Sequence, residues 1–217
     1  MNCTQPCNKC QRIVSYKYRK DGIIFIHNRK CAGSSMSNAL RIGGTHDKHQ
    51  AAWEAKMRIG DEKWEKAFKF SFIRNPWDRW VALYLFRFKN PRTKRMVPEY
   101  PLYDTPEQFK RYTLHIINQR LELLGVQWGL PPSYWSKFTL DGETSAIDFV
   151  GRYENIEEDW KKLCHLLKVP QLGERLRNIN PTPRTRRVHY TEYYDDETRD
   201  AIARVYQRDI EEFEYEF

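Results

Sequence analysis

Residues able to hold an anion gather in one stretch, Ile23 to Asn38, which reads IIFIHNRKCAGSSMSN. Lys30 supplies an ammonium, Ser34 and Ser35 supply hydroxyls, and Ala32 and Gly33 are small. Such a set binds a phosphate-type group when a strand delivers it and a helix opens behind it. Amides of the first helical turn then lack helical acceptors, and the helix dipole adds partial positive charge. Both flanking elements are legible: Ile23 to Ile26 is the apolar run of a buried parallel strand, and the pattern from Met36 to Leu40 suits a helix opening. A loop for nucleoside triphosphates would read G-x-x-x-x-G-K-[ST]. Here Lys30 precedes Gly33 by three residues, the wrong order for a kinase or ATPase.

A second stretch, FKFSFIRNPWDRWVALY from Phe68 to Tyr84, reads as a buried strand over Phe68 to Ile73 that ends in Arg74. Asn75 is placed to cap the following helix, and Pro76 suits its first position, where no amide hydrogen is needed. Between the two stretches lie His46 and His49. With an unperturbed pKa of about 6.5, a histidine can accept a proton near neutral pH, although a lone histidine is more often structural or exposed.

The segment HNRKCAGSS closely resembles the H-x-P-K-x-G-G-T-S loop of sulfotransferases, which binds the 5′-phosphosulfate of 3′-phosphoadenylyl sulfate (PAPS). RNPWDRWVALY resembles the R-[ND]-P-x-[DE]-R-x-x-S-x-Y block of the same family, in the same order and spacing. The resemblance implies that Arg29, Lys30, Ala32, Gly33, Ser34 and Ser35 form the donor loop, that Lys30 stabilises the leaving group, and that Arg74 holds the 3′-phosphate. KHQAA, Lys48 to Ala52, is similar to the family's K-H-x-x-A segment, which makes His49 the candidate base and His46 the runner-up. One position departs from the pattern: the family's Ser is Ala82 here, which removes an expected hydrogen bond to that phosphate. Arg184, Arg186 and Arg187, in a basic loop before the last helix, are candidates to compensate. FVGRYEN resembles a further family block, with Arg152 and Glu154 either bracing the site or forming a structural ion pair. The resemblance covers Ile23 to Phe217, leaving residues 1–22 as a separate cysteine-containing segment. It implies PAPS as donor, no required metal, and a small-molecule or carbohydrate acceptor presenting a hydroxyl or amine. A P-loop-like phosphotransferase using ATP, or an inactive nucleotide-binding module of the same fold, are the alternatives.

Composition fits one sizeable core, with 217 residues of which 40% are hydrophobic and 14% aromatic. A net charge of +8 favours an anionic partner. The basic residues are interspersed with acidic ones and no nucleic-acid motif is visible, so a nucleic-acid partner is not expected. The first twenty residues have no apolar core and no run is long enough to span a bilayer, so the expected location is the cytoplasm. Cys3, Cys7 and Cys10 have C-x3-C-x2-C spacing, which resembles a radical-SAM iron–sulfur motif, but that motif follows a barrel strand and none is expected before residue 3. A zinc site would need a fourth ligand such as Cys31 or a histidine. The preferred reading is a tail with reduced thiols. Cys164 shares a helical stripe with Trp160, Leu163 and Leu167 and reads as core.

Alternating strands and helices predict an α/β fold, a single-domain parallel sheet flanked by helices of the P-loop-like sulfotransferase type. The Pro- and Tyr-rich stretch from Asn90 to Pro106 reads as a loop, with Arg92, Lys94 and Arg95 available to an anionic acceptor. Gln50 to Arg58 reads as a short helix, and another starts at Thr105-Pro106-Glu107 and could run to about Leu124. Tyr134 to Phe138 and Ala146 to Gly151 flank Asp141-Gly142, a strong turn signal. A strand then ends at Arg152, with Asn155 and Glu158 at capping positions for a helix to Lys168. The last helix presents Ile202, Val205, Tyr206 and Ile210 on one face.

Overall fold

A computed structural model describes residues 18–19, 22–40, 49–89, 105–118, 131–174, 176 and 188–217. In chain order the elements are β1 (Tyr18–Arg19), β2 (Ile23–Ile26), α1 (Gly33–Ala39), α2 (Ala52–Ile59), α3 (Asp61–Lys66) and β3 (Phe68–Ile73). They continue with α4 (Pro76–Lys89), α5 (Pro106–Asn118), α6 (Tyr134–Phe138), β4 (Phe149–Arg152), α7 (Ile156–Leu166), α8 (Asp196–Val205) and α9 (Gln207–Glu212). The chain divides into two compact units, Met1–Ile73 with Tyr134–Asn180, and Arg74–Ser133 with Pro181–Phe217.

The first unit is built on a sheet in the order β1-β2-β3-β4. β2, β3 and β4 are parallel, with Ile23 opposite Phe68 and Phe70 opposite Phe149, and β1 pairs antiparallel with β2. The parallel part carries α/β character: every residue of β2 is buried, as is β3 from Lys69 onward, and the connections run through helices. Gly151 in β4 has a specific steric role. A Cβ there would intrude on the ring of Phe72, so the strand needs a residue without one.

Around β4 the local expectations hold in part. Tyr134 to Phe138 forms a helix, and the turn at Asp141-Gly142 is closed by the Asp141 carboxylate, which accepts from the amides of Glu143 at 2.9 Å and Thr144 at 3.0 Å. A single antiparallel bridge, Thr139 to Ser145, spans it. At the start of α7 the expected cap by Asn155 is not made. A 3-10 turn, Tyr153–Asn155, intervenes, and Asn155 sits at φ −113° and ψ 32° with no side-chain cap bond. That backbone is not the extended geometry a capping side chain needs. Asp159 ties strand to helix instead, accepting from the Arg152 amide at 2.8 Å. α7 ends at Leu166, short of the expected Lys168, which lies in the left-handed region at φ 57°. Trp160, Leu163 and Cys164 are buried as expected, and burial pushes the Cys164 thiol up to about 11, in keeping with a packing role.

The second unit is helical. Asn75 caps α4, its Oδ1 accepting from Trp77 N at 3.0 Å, and Pro76 takes the first helical position. Thr105 performs the same task for α5, accepting from Gln108 N at 3.3 Å, and α5 is described as far as Asn118. Its expected extension to Leu124 lies outside the described residues. Tyr84, Phe109, Tyr112 and Tyr193 form an aromatic core, with the Tyr84 and Phe109 rings edge to face at 5.2 Å. The expected last helix is divided at Tyr206, whose φ of −114° separates α8 from α9. Ile202 and Tyr206 are buried on its inner face. Among the described residues no helix is long and apolar enough to cross a membrane.

Asp195 caps α8, accepting from Thr198 N at 2.9 Å, and pairs with Lys110 at 2.6 Å. The bonds from Lys110 and Thr198 hold its carboxyl down at about 2. A lowered native pKa means stability that is present above the unfolded value, near 3.9, and is lost as pH falls towards the native value. Asp195→Ala should therefore lower the melting temperature near neutral pH by about 2–4 °C, from a cap worth about 1 kcal/mol. The difference between variant and parent should shrink as pH falls from 4 to 2, which thermal melts across that range will read. Lys110 adds little to this because the pair is substantially exposed.

Candidate active site

β2 ends at Ile26, and the chain leaves the sheet through turn residues 29–32. Two non-glycine residues there occupy the left-handed region, Lys30 at φ 63° and Ala32 at φ 55°, at a cost of about 1 kcal/mol each. Packing holds them. Cys31 between them is buried, its thiol donating to the Arg29 carbonyl at 3.4 Å and lying 3.4 Å from the Tyr134 hydroxyl on α6. The left-handed turn makes Ala32 the cap of α1, so the helix opens at Gly33, three residues before the apolar pattern begins. Ala32 carbonyl accepts from Ser35 N at 2.9 Å and Met36 N at 3.2 Å. The Ser35 amide is thus committed to the helix, while those of Gly33 and Ser34 belong to the first turn, which has no helical acceptors. Arg29, Lys30 and Ser34 are half-buried, and Gly33 and Ser35 are buried.

Behind this loop lies a polar cluster in which His27, Asn28, Ser71 and Lys137 are buried and His49 is exposed. The His27 ring stacks on Phe25 at 5.2 Å and abuts Gly33, where a Cβ would collide with the imidazole. The His49 ring lies 4.6 Å from that of His27, and His49 Nδ1 is 3.3 Å from the His27 carbonyl oxygen. A carbonyl only accepts, so a hydrogen bond here requires the proton on Nδ1, and in the neutral ring Nε2 is then the nitrogen without one. Asn28 donates to Ser71 Oγ and to the Phe72 carbonyl, both at 3.0 Å, and Ser71 Oγ donates to the Ile26 carbonyl at 2.6 Å. Lys137 on α6 completes the cluster, its Nζ donating to the His27 carbonyl at 2.7 Å and to Asn28 Oδ1 at 2.9 Å.

In the second unit Arg74, 5% exposed by its side chain, donates from Nε and Nη2 to Asp78 Oδ2, each at 2.7 Å. The Asp78 side chain is 15% exposed, so this is a largely desolvated charge pair one helical turn apart. Asn75 Nδ2 donates to the Glu216 carbonyl at 2.7 Å, which fastens the last residues beside the start of α4. Ala82 is fully buried in α4. Arg152 closes β4 half-buried, and Glu154 is exposed.

The structure thus brings His49 to the end of β2, at the foot of the loop that carries Lys30. His46, Arg92, Lys94, Arg95, Arg184, Arg186, Arg187 and Cys3, Cys7 and Cys10 lie outside the described residues. Among the described residues no three His, Cys, Asp or Glu side chains gather as a metal-binding group. Sequence reasoning assigned nothing to His27, Asn28 or Lys137. Lys137, within Tyr134–Phe138, has no local signal for its place because its partners are more than a hundred residues away.

The turn that carries Lys30, Gly33 and the serines leaves a parallel strand and enters a helix, an α/β arrangement suited to holding an anionic group. The chain belongs to the sulfotransferase family, whose model matches residues 18–216. An uncharacterized protein of Archaeoglobus fulgidus is 27% identical over 122 residues, which is 55% of this chain and 83% of that protein. No solved structure matches significantly.

Proposed function

We propose that the protein is a PAPS-dependent sulfotransferase that moves the sulfuryl group to a hydroxyl or amine of a small-molecule or carbohydrate acceptor. The observation that supports this best is the loop itself: a lysine, first-turn amides and a serine hydroxyl follow a buried strand, in the family's order, with a histidine anchored at the same strand end. The donor set is cationic or hydrogen-donating throughout, as a phosphosulfate requires.

PAPS supplies an activated sulfuryl group. An acceptor oxygen or nitrogen forms the new bond to sulfur while the bond from sulfur to the bridging phosphate oxygen breaks, and that oxygen leaves with the electron pair. Lys30 neutralises the charge that develops there, the kind of electrostatic stabilisation that dominates such transfers. Gly33 and Ser34 amides, with the Ser34 and Ser35 hydroxyls, hold the phosphosulfate oxygens, and Arg29 and Ala32 shape the turn that presents them. His49 Nε2 takes the acceptor's proton, a role worth about a hundredfold to ten-thousandfold in rate. Arg74, by resemblance, serves the 3′-phosphate. This transfer requires no metal.

The test is to incubate the protein with PAPS and a panel containing a disaccharide, a phenol and a primary amine, and to follow release of adenosine 3′,5′-bisphosphate. Release stimulated by one acceptor class and indifferent to chelator is the expected result. Turnover of ATP with magnesium, without any acceptor-stimulated use of PAPS, would move the protein to phosphoryl transfer.

A further inference from the structure

Lys137 is the most buried lysine among the described residues, 3% exposed, and nothing above gives it a part in the chemistry. Removing an ammonium from water is expensive, and packing alone would be served better by an apolar residue. What Lys137 touches suggests why a lysine stands there. The parallel ladder of β2 ends at Ile26 opposite Ser71, so the His27 carbonyl lies beyond the strand register. A buried carbonyl needs donors, and Lys137 Nζ at 2.7 Å and His49 Nδ1 at 3.3 Å both serve this one. The shorter, charge-assisted bond is the stronger, so it sets the direction of the oxygen. The longer bond depends on that direction. An ammonium only donates, so it cannot accept the Nδ1 proton and leaves the carbonyl as the acceptor shared by both. The second bond of Lys137, to Asn28 Oδ1, ties the same carbonyl to an amide that the end of β3 already fixes.

We propose that Lys137 is a positioning residue for sulfuryl transfer: by fixing the His27 carbonyl it holds His49 with its proton on Nδ1 and its Nε2 ready to accept one. The inference rests on the reading of His49 as the base. It adds a residue from α6 that acts through the His27 peptide and touches neither donor nor acceptor.

The experiment compares the full-length protein with Lys137→Met and Lys137→Gln after 15N labelling of histidine, with the His49 signals assigned through His49→Ala. Wild type should show a single Nδ1–H tautomer for His49. Lys137→Met should show a mixture, and its acceptor-stimulated release of bisphosphate from PAPS should fall about tenfold to a hundredfold, the cost of a misplaced group. Affinity for adenosine 3′,5′-bisphosphate should stay within about threefold, since contacts made through the loop are separate from the base. Lys137→Gln, which keeps a neutral donor, should lie between. The double variant with His49→Ala should be no slower than His49→Ala alone, because residues acting as a unit are not additive. An unchanged tautomer and rate in Lys137→Met, or losses that multiply in the double variant, would overturn the inference. If Lys137→Met does not melt cooperatively, Lys137→Gln gives the same readouts. An Nε2–H tautomer in wild type, or a His49→Ala variant at full rate, refutes the base reading and this inference with it, before any Lys137 variant is compared.

Discussion

Lys30→Ala is expected to slow acceptor-dependent turnover of PAPS by about a hundredfold to a thousandfold, the range seen when one donor to a developing oxyanion is removed. Lys30 is held in the left-handed region, and alanine faces the same backbone demand, so the loop should keep its course. The melting temperature should then be close to that of the parent, and the loss should fall mainly on kcat, because in the proposed mechanism the charge that Lys30 would meet grows as the bond to sulfur breaks. Arginine is a poor substitute. Its planar fork cannot reproduce a compact ammonium at a turn this tight. Steady-state kinetics on Lys30→Ala with the best acceptor decide the matter. A variant with raised KM and parental kcat would assign Lys30 to ground-state binding alone.

Gly33→Ala should be severely damaging for a single added methyl. The added Cβ would fall inside contact distance of the His27 ring, and that ring cannot easily give way. It is stacked on Phe25, which is itself stacked on Phe70 at 4.6 Å, and it lies against His49 on another side. Either His27 is driven from the cluster or α1 shifts away from the loop. Overpacking of this kind costs about 1–3 kcal/mol, which lowers the melting temperature by about 2–4 °C for each kcal/mol. Because the first amides of α1 and the contact that anchors His49 both move, bisphosphate affinity and turnover should fall together. Calorimetric melts and ligand titration of Gly33→Ala read both effects. Parental values for each would mean that the close approach of Gly33 to His27 has no functional consequence.

Much of the fold was legible because the decisive signals are local. Apolar runs bounded by polar turns placed β2 at Ile23–Ile26 and β3 at Phe68–Ile73, and Asn75 with Pro76 marked the start of α4 through capping chemistry contained within four residues. The start of α1 was not legible, because it depends on Ala32 adopting a left-handed backbone that no residue-level preference favours. Asn155 had the right residue type for a cap, yet the 3-10 turn that ends there and the Asp159 carboxylate decided the junction. In the candidate site Lys30, Gly33 and the serines were legible from their order along one loop. The approach of His49 to the His27 carbonyl rests on contacts 22 residues apart, and that of Lys137 on contacts 110 apart. Tertiary packing alone creates these.

Recognition of the PAPS nucleotide by the loop and Arg74 is what the proposed function requires first. Titration calorimetry with adenosine 3′,5′-bisphosphate, the 5′-monophosphate and ATP with magnesium tests it most directly, on wild type and on Arg74→Lys. Lysine is the informative replacement because it keeps a cation beside the largely desolvated Asp78 carboxylate, whereas alanine would remove that cation and cost about 3–5 kcal/mol of stability. Bisphosphate should bind about tenfold to a hundredfold more tightly than the monophosphate, the worth of one charge-assisted contact, and Arg74→Lys should narrow that gap. Preference for ATP with magnesium, or no bisphosphate binding at all, would rule out a PAPS site.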